Sequence, residues 1–135
     1  MSNLKFRLKL KSTFKESEKV PDFVANLQSK ASLTEDETST LMLLVSEAVT
    51  NAIEHGNKLD PSKEVDVEII IAEKKIETIV KDQGEGFNPE ETDDPLQEEN
   101  LLNARGRGVF LIKEISDDVT YLDGGRTVKF QINRN

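Results

Sequence analysis

The segment SEAVTNAIEHGN, residues 46–57, joins a helical apolar pattern to polar residues that are not needed for core packing. Apolar residues recur within and before it at spacings of three and four, which predicts an amphipathic helix with a wide buried face. Thr34 and Glu37 have the spacing of a capping box and predict where this helix begins. Glu47 and Asn51 are four residues apart, so both are expected on one face.

The pair formed by Glu47 and Asn51 suggests a cation site. Mg²⁺ prefers oxygen ligands, keeps several waters, and commonly bridges one or two protein oxygens to phosphate oxygens. A carboxylate and an amide on one helix face suit that chemistry. Taken alone, however, the pair is more typical of the solvated face of an amphipathic helix.

Asp82 follows the apolar run IETIVK and precedes Gly84 and Gly86, so its carboxylate is expected at the end of a strand where the backbone can approach a ligand closely. A carboxylate there can accept a hydrogen bond from an exocyclic amine, which favours adenine over guanine. An ordinary turn of the Asp-x-Gly type explains the same residues equally well.

Gly106 and Gly108 flank Arg107 just before an apolar run, which predicts a helix that begins after these glycines. Free backbone amides at that helix start can hold phosphates, with Arg105 or Arg107 adding positive charge. The alternative is an ordinary glycine-rich helix entry. The phosphate loop GxxxxGK[ST] is absent.

The remaining pattern predicts one domain that alternates strands and helices. A helix is expected from Glu16 to about Ala31, and the two central strands are expected to form a hairpin. Alternating or apolar runs predict strands over residues 4–11, 65–73, 75–82, 118–123 and 126–133. The acidic stretch between residues 83 and 105 is long for a loop in a compact domain and therefore suggests a functional lid.

Composition narrows the function. The 135 residues suit a single domain, and 36% hydrophobic with 33% charged residues is typical of a soluble globular protein. The formal net charge of −8 argues against nucleic acid as a partner. The sequence has no cysteine, signal peptide or membrane-length apolar run, so we expect a cytoplasmic protein with no membrane association.

Taken in order, SEAVTNAIEHGN, VKDQGEGF, RGRGVFLIKEISDDV and GRTVKF resemble the successive motifs of the GHKL, or Bergerat-fold, ATPases. The first motif and the small size resemble, within that superfamily, the anti-sigma regulatory factor serine-protein kinases of bacterial partner switching. The resemblance implies an α+β fold: a two-layer α/β sandwich with a mixed, mostly antiparallel sheet and helices on one face. It also implies a single ATP-binding domain, residues 1–135, with an ATP lid at about 88–105.

The resemblance implies a role for each motif residue. Asn51 would bind Mg²⁺, and Glu47 would act as a general base or orient the attacking group. Asp82 would bind the adenine amine beside Gly84 and Gly86, with Thr127 near the base. The phosphates would be bound by Arg105, Gly106, Arg107 and Gly108.

The implied function is that of an ATP- and Mg²⁺-dependent serine-protein kinase that also sequesters a sigma factor. Its substrate would be an anti-anti-sigma antagonist with a STAS domain, its other partner an RNA polymerase sigma factor, and a homodimer is conceivable. Two alternatives stay open: a module in which ATP controls a partner without phosphotransfer, and the detached catalytic domain of a histidine kinase.

Overall fold

The structure is a computed structural model that describes residues 3–86 and 104–134, and the side chains in those ranges apart from residues 104–106. The strands are Leu4–Lys11 (β1), Glu64–Ile71 (β2), Lys75–Lys81 (β3), Asp118–Leu122 (β4) and Thr127–Asn133 (β5). The helices are Phe14–Ser17 (α1), Lys19–Lys30 (α2), Glu35–Asn51 (α3) and Ala104–Ile115 (α4), and α3 continues as a π-helical turn over Ala52–Gly56. The lid predicted at about 88–105 falls, as far as residue 103, outside the residues that the structure describes.

The five strands form one sheet in the order β1-β2-β3-β5-β4, and every described neighbouring pair is antiparallel. The predicted hairpin is β2 and β3, joined by residues 72–74. Along β2, every second residue is buried, so one face of the sheet packs on the core. The predicted α+β sandwich is confirmed.

Charge pairing supports the register of β1 against β2. Arg7 lies opposite Glu68 with Nε 3.5 Å from Oε2, and Lys9 lies opposite Asp66 with Nζ 3.8 Å from Oδ1. A slip of one residue would turn the apolar side chains of β1 away from the core and the charges toward it. The alternation in β1 therefore specifies both the buried face and the pairing.

The helices α2 and α3 pack on the buried face of the sheet. Thr34 begins α3 as the sequence predicts: its hydroxyl accepts from the Glu37 NH at 3.0 Å, and the Glu37 carboxylate accepts from the Thr34 NH at 2.9 Å. The core that these elements share includes Val24, Leu27, Leu41, Leu44, Val45, Val49, Val67, Ile69, Ile76 and Phe130.

The helix predicted from Glu16 to about Ala31 is confirmed as α2, but its predicted start is wrong, because a separate short helix, α1, precedes α2 and the two meet at Glu18. Thr13 starts α1 by accepting a hydrogen bond from the Glu16 NH at 3.2 Å, and α1 buries none of its residues. The Thr13 cap starts α1, whereas the buried apolar residues that recur at helical spacing begin only at Val20, within α2. Among residues 3–86 and 104–134, every helix is too short or too polar to cross a membrane.

Candidate functional site

Glu47 and Asn51 meet Gly108 where α3 packs against α4. A Cβ atom added to Gly108 would lie 3.2 Å from Oε2 of Glu47 and would overlap the side-chain amide of Asn51. The two helices therefore approach as closely as a glycine permits. Both polar side chains are half-buried and point to the same place, as their spacing of four predicts.

The π-helical turn after Asn51 brings the chain back toward the end of β3. The Asn57 NH donates to the Ala52 carbonyl at 2.8 Å, which closes the wider turn. Such turns are rare in proteins, and many of those that occur are at functional sites. Gly56 ends the turn against Asp82: a Cβ at Gly56 would lie 2.5 Å from Oδ2 and 3.0 Å from Oδ1 of the carboxylate. A side chain at position 56 would displace Asp82.

Asp82 builds a tight turn immediately after β3. Its main-chain NH donates to the Arg126 carbonyl at 2.9 Å, and its Oδ1 accepts from the Gly84 NH at 2.8 Å. A Cβ at Gly84 would overlap the carbonyl of Gly56. The Asp-x-Gly turn left open by the sequence is therefore present, and it is also part of a cavity wall.

Gly86 and Gly124 bring two loops together beside this turn. Gly86 has φ of +85°, and a Cβ there would overlap the Gly124 carbonyl. Arg126 joins the same loops, because its Nε donates to the Gly84 carbonyl at 2.7 Å and its Nη1 to the Asp123 carbonyl at 3.0 Å. The loops after β3 and after β4 thus form one wall.

A cavity lies between α3, α4 and the sheet, next to this wall. Its polar lining comes from Asn51, Asp82 and Arg126, and its volume is about 30 Å³, room for a few water molecules at most. The other lining residues are Ala48, Ala52, Val80, Val109, Ile112, Tyr121, Gly125 and Val128.

The start of α4 differs from the prediction. The helix begins at Ala104, so Gly106 and Gly108 lie inside it, and the prediction that it begins after them is wrong. Gly108 is the fifth residue of α4, beyond the four NH groups that a helix leaves without an intrahelical partner. Glycine at this position permits close packing on α3. Arg105 also lies in the first turn, and the side chain of Arg107 is exposed.

Thr127 is buried at the first position of β5, opposite Lys81 of β3 and Leu122 of β4. It does not line the cavity, whereas the preceding residue, Arg126, does. Of the residues singled out in the sequence, the structure therefore brings Asn51 and Asp82 into one cavity, with Glu47 and Gly108 at its helical end and the loop glycines beside Asp82.

Two residues of this site were not predicted from the sequence. Gly56 stood in the quoted motif EHGN, and Arg126 in GRTVKF, but neither was assigned a role. A glycine at a helix end and an arginine before a strand are both common, so no local pattern distinguishes them. Their contacts with Asp82 and Gly84 join segments that are far apart in the chain.

Comparisons with known proteins find a matching family and several similar proteins. The family described as the histidine kinase-like ATPase domain matches residues 11–132. The serine-protein kinase RsbW of Bacillus licheniformis is 34% identical over 118 residues, covering 78% of this chain and 70% of that protein. RsbW of Listeria monocytogenes serotype 4a (strain HCC23) is 31% identical, covering 78% and 71%, and RsbW of Staphylococcus aureus (strain JH9) is 34% identical, covering 74% and 68%.

Proposed function

The chain belongs to the anti-sigma serine-protein kinases of the histidine kinase-like ATPase family, and we propose that it phosphorylates a STAS-domain anti-anti-sigma protein and sequesters an RNA polymerase sigma factor. Partners of this kind act in the cytoplasm, which is the compartment that the proposal requires. Residues 1–135 would make one catalytic domain, in agreement with the single sheet and shared core of the described residues.

The observation that carries the proposal is the meeting of Glu47, Asn51 and Gly108 at one end of the cavity that Asp82 lines at the other. A carboxylate and a side-chain amide that converge at one end of the cavity supply oxygen ligands of the kind that suit a cation bridged to phosphates. Bound Mg²⁺ would neutralise charge on those phosphates. Asn51 would supply the protein oxygen that holds it.

The opposite end of the cavity suits adenine. The carboxylate of Asp82 would accept a hydrogen bond from the exocyclic amine, and a base without that amine would leave this acceptor less well paired. Gly84 and Gly86 would pass beside the ring because they have no side chains, and Thr127 would support that end from β5. Apolar residues such as Val80 and Ile112 would contact the ring faces.

Phosphoryl transfer would take place at the helical end. Glu47 would accept the proton of the substrate serine while the serine oxygen bonds to the γ-phosphorus and ADP departs with the bridging oxygen. Arg105, Gly106, Arg107 and Gly108 would bind or flank the phosphates. Positioning and electrostatics would supply most of the acceleration.

The proposal is tested by incubating the purified chain with Mg²⁺, ATP labelled at the γ-phosphate and a purified STAS-domain antagonist. We expect acid-stable label on a serine of the antagonist, lost in Glu47→Gln and kept in Glu35→Gln, a matched change of an exposed glutamate in the first turn of α3. Binding of the antagonist without any transfer would favour ATP as a regulator only. Acid-labile label on histidine would favour a histidine-kinase domain.

Sequestration is a separate measurement. The chain with Mg²⁺ and ATP should bind a sigma factor, and the unphosphorylated antagonist should displace it. Because phosphorylation of the antagonist adds charge at the contact, phosphorylated antagonist should displace far less sigma factor. Equal displacement by both forms would contradict partner switching while leaving the kinase reaction intact.

A further inference from the structure

Asn57 is a buried amide whose hydrogen bonds reach the turn that carries Asp82. It is 1% exposed and immediately follows the π-helical turn. Its Nδ2 donates to Oγ of Ser12 at 2.7 Å and to the carbonyl of Glu64 at 3.0 Å, and its Oδ1 accepts from the Gln83 NH at 2.7 Å. The two main-chain partners fix the orientation of the amide, since one can only accept and the other can only donate.

These bonds connect three strand ends at one point. Ser12 follows β1 and its hydroxyl donates to the Lys63 carbonyl at 2.9 Å, while Glu64 begins β2. Gln83 comes two residues after β3, and its side-chain carbonyl accepts from the Glu64 NH at 2.7 Å. A buried polar network of this kind, with its main members paired, specifies one arrangement of the segments that it joins.

The same residue connects the two halves of the candidate site. One helical segment carries Glu47 and Asn51, continues to Gly56 against the Asp82 carboxylate, and ends at Asn57 on the Gln83 NH. Asp82 is therefore located relative to Asn51 through a short, continuous piece of backbone. Its carboxylate contacts Gly56, and the NH of the next residue is bound by Asn57.

We propose that Asn57 is a positioning residue for base specificity: through the Gln83 NH it sets where the Asp82 carboxylate lies relative to Asn51. The inference rests on the proposed role of Asp82 in binding adenine. A merely structural Asn57 would lower stability and weaken every nucleotide alike. A positioning Asn57 acts on the adenine amine, so its loss selectively weakens nucleotides that carry that amine.

The test compares the dissociation constants of Mg-ATP and Mg-ITP, which lacks the exocyclic amine, by calorimetric titration of the whole chain. In Asn57→Ala we expect the preference for ATP over ITP to fall about tenfold, because a misplaced acceptor loses roughly the value of one hydrogen bond. The matched control is Ser12→Ala, which disturbs the same network but leaves the Asn57 bond to Gln83, and should keep the preference within about twofold.

A second pair of variants keeps the inference testable if Asn57→Ala does not fold. Gln83 is exposed, and Gln83→Pro removes the NH that Asn57 binds, whereas Gln83→Ala removes the side chain and keeps the NH. Gln83→Pro should reproduce the loss of preference, and Gln83→Ala should not. If the preference survives in each folded variant that lacks the bond between Asn57 and the Gln83 NH, the positioning role is overturned.

Asp82→Asn separates this inference from the proposed function. If Asp82→Asn abolishes the preference while Asn57→Ala and Gln83→Pro retain it, only the positioning role fails. If Asp82→Ala, which removes the acceptor altogether, retains the preference, or if the unmodified chain has none, then Asp82 does not bind the amine and both proposals fail at this end of the site.

Discussion

Two arginines stand at the two ends of β5 and show how differently the two ends of the sheet are built. Arg134, after the strand, places Nε 3.0 Å from Oε2 of Glu37 and donates from Nη1 to the Ala72 carbonyl at 2.8 Å. The side chains of this pair are only 16% and 14% exposed. Arg134 thus joins the start of α3 to the β2–β3 hairpin in a partly buried, well-paired contact.

Arg126, before the strand, makes similar bonds with a different result. It also donates to two carbonyls, but its charged partner Asp123 is 3.8 Å away, and the two side chains are 38% and 69% exposed. Arg126 lines the cavity, whereas Arg134 does not. The ion pair at the cavity is thus longer and more exposed than the pair at the far end of β5, so water screens it more and a ligand can separate it at lower cost.

The largest effect is expected from Asn51→Ala, which acts at the site end alone. Affinity for Mg-ATP should fall on the order of 100-fold, because even outer partners of a metal site are worth 10–100-fold. The free energy of unfolding should change little, since Asn51 faces the cavity. Calorimetric titration of both proteins with ATP, once in Mg²⁺ and once in EDTA, checks this. The difference in ATP affinity between variant and parent should be smaller in EDTA. Unchanged Mg-ATP affinity would sink the assignment.

Arg134→Ala should have the next largest effect, and only on stability. It leaves Glu37 partly buried without its cation, which should cost about 2 kcal/mol of unfolding free energy, less than the roughly 3–5 kcal/mol for a fully buried pair because both side chains keep some contact with water. Urea unfolding measures this, with Arg7→Ala as the control. Arg7 also pairs with a glutamate but is 73% exposed, so its loss should cost about 0.5 kcal/mol or less. Loss of ATP affinity in the folded Arg134→Ala protein would mean that this end of β5 also shapes the nucleotide site.

The contrast also shows what the sequence can predict. The capping box of Thr34 and Glu37 and the shared face of Glu47 and Asn51 depend on spacings of three and four, which local geometry sets. The pairing of Glu37 with Arg134 joins residues 97 positions apart, and no local period contains it. The sequence identifies Glu37 as part of a helix cap and Arg134 as a positive charge, but it does not show that the two form a pair.

The same limit explains the errors at the site. Gly106 and Gly108 stand just before an apolar run, and that local pattern predicts a helix that begins after them. In the structure, the contact of Gly108 with α3 outweighs that local preference, and the helix runs through both residues. Asp82 and Asn51 could be singled out by residue type and position. Their distance across the cavity depends on Gly56 and Asn57, whose contacts only the folded chain shows.

Arg126→Ala should have a smaller effect than the two variants above, and its effect should be on ATP affinity. We expect ATP affinity to fall about fivefold, roughly 1 kcal/mol, because the Gly84 loop loses the donor that holds it. Stability should fall less than in Arg134→Ala. Lys129→Ala, which removes another cation of β5 that pairs with Glu77 outside the cavity, should leave ATP affinity unchanged. If Arg126→Ala instead loses as much stability as Arg134→Ala and keeps its ATP affinity, the two arginines have the same structural role and Arg126 does not serve the site.

The smallest effect concerns the pH dependence of the Arg134 end. Burial alone would raise the pKa of Glu37, but hydrogen bonds from Arg134 and from the Thr34 NH outweigh it, and the pKa lies below its ordinary value of 4.5. As pH falls, the unfolded chain therefore takes up the proton first. Glu37 contributes its full stabilisation above pH 4.5 and loses it as pH falls through the folded pKa.

Glu37→Gln should therefore have a lower free energy of unfolding than the parent at neutral pH. The difference between the two proteins should become smaller, by on the order of 0.5 kcal/mol, when the pH is lowered from neutral to 3. Urea unfolding at a series of pH values measures the gap. In an Arg134→Ala background the narrowing should largely vanish, because the main hydrogen-bond donor that lowers the pKa is gone. Parallel pH curves for Glu37→Gln and the parent would mean that this contact owes its strength to hydrogen bonding and packing rather than to the charge of Glu37.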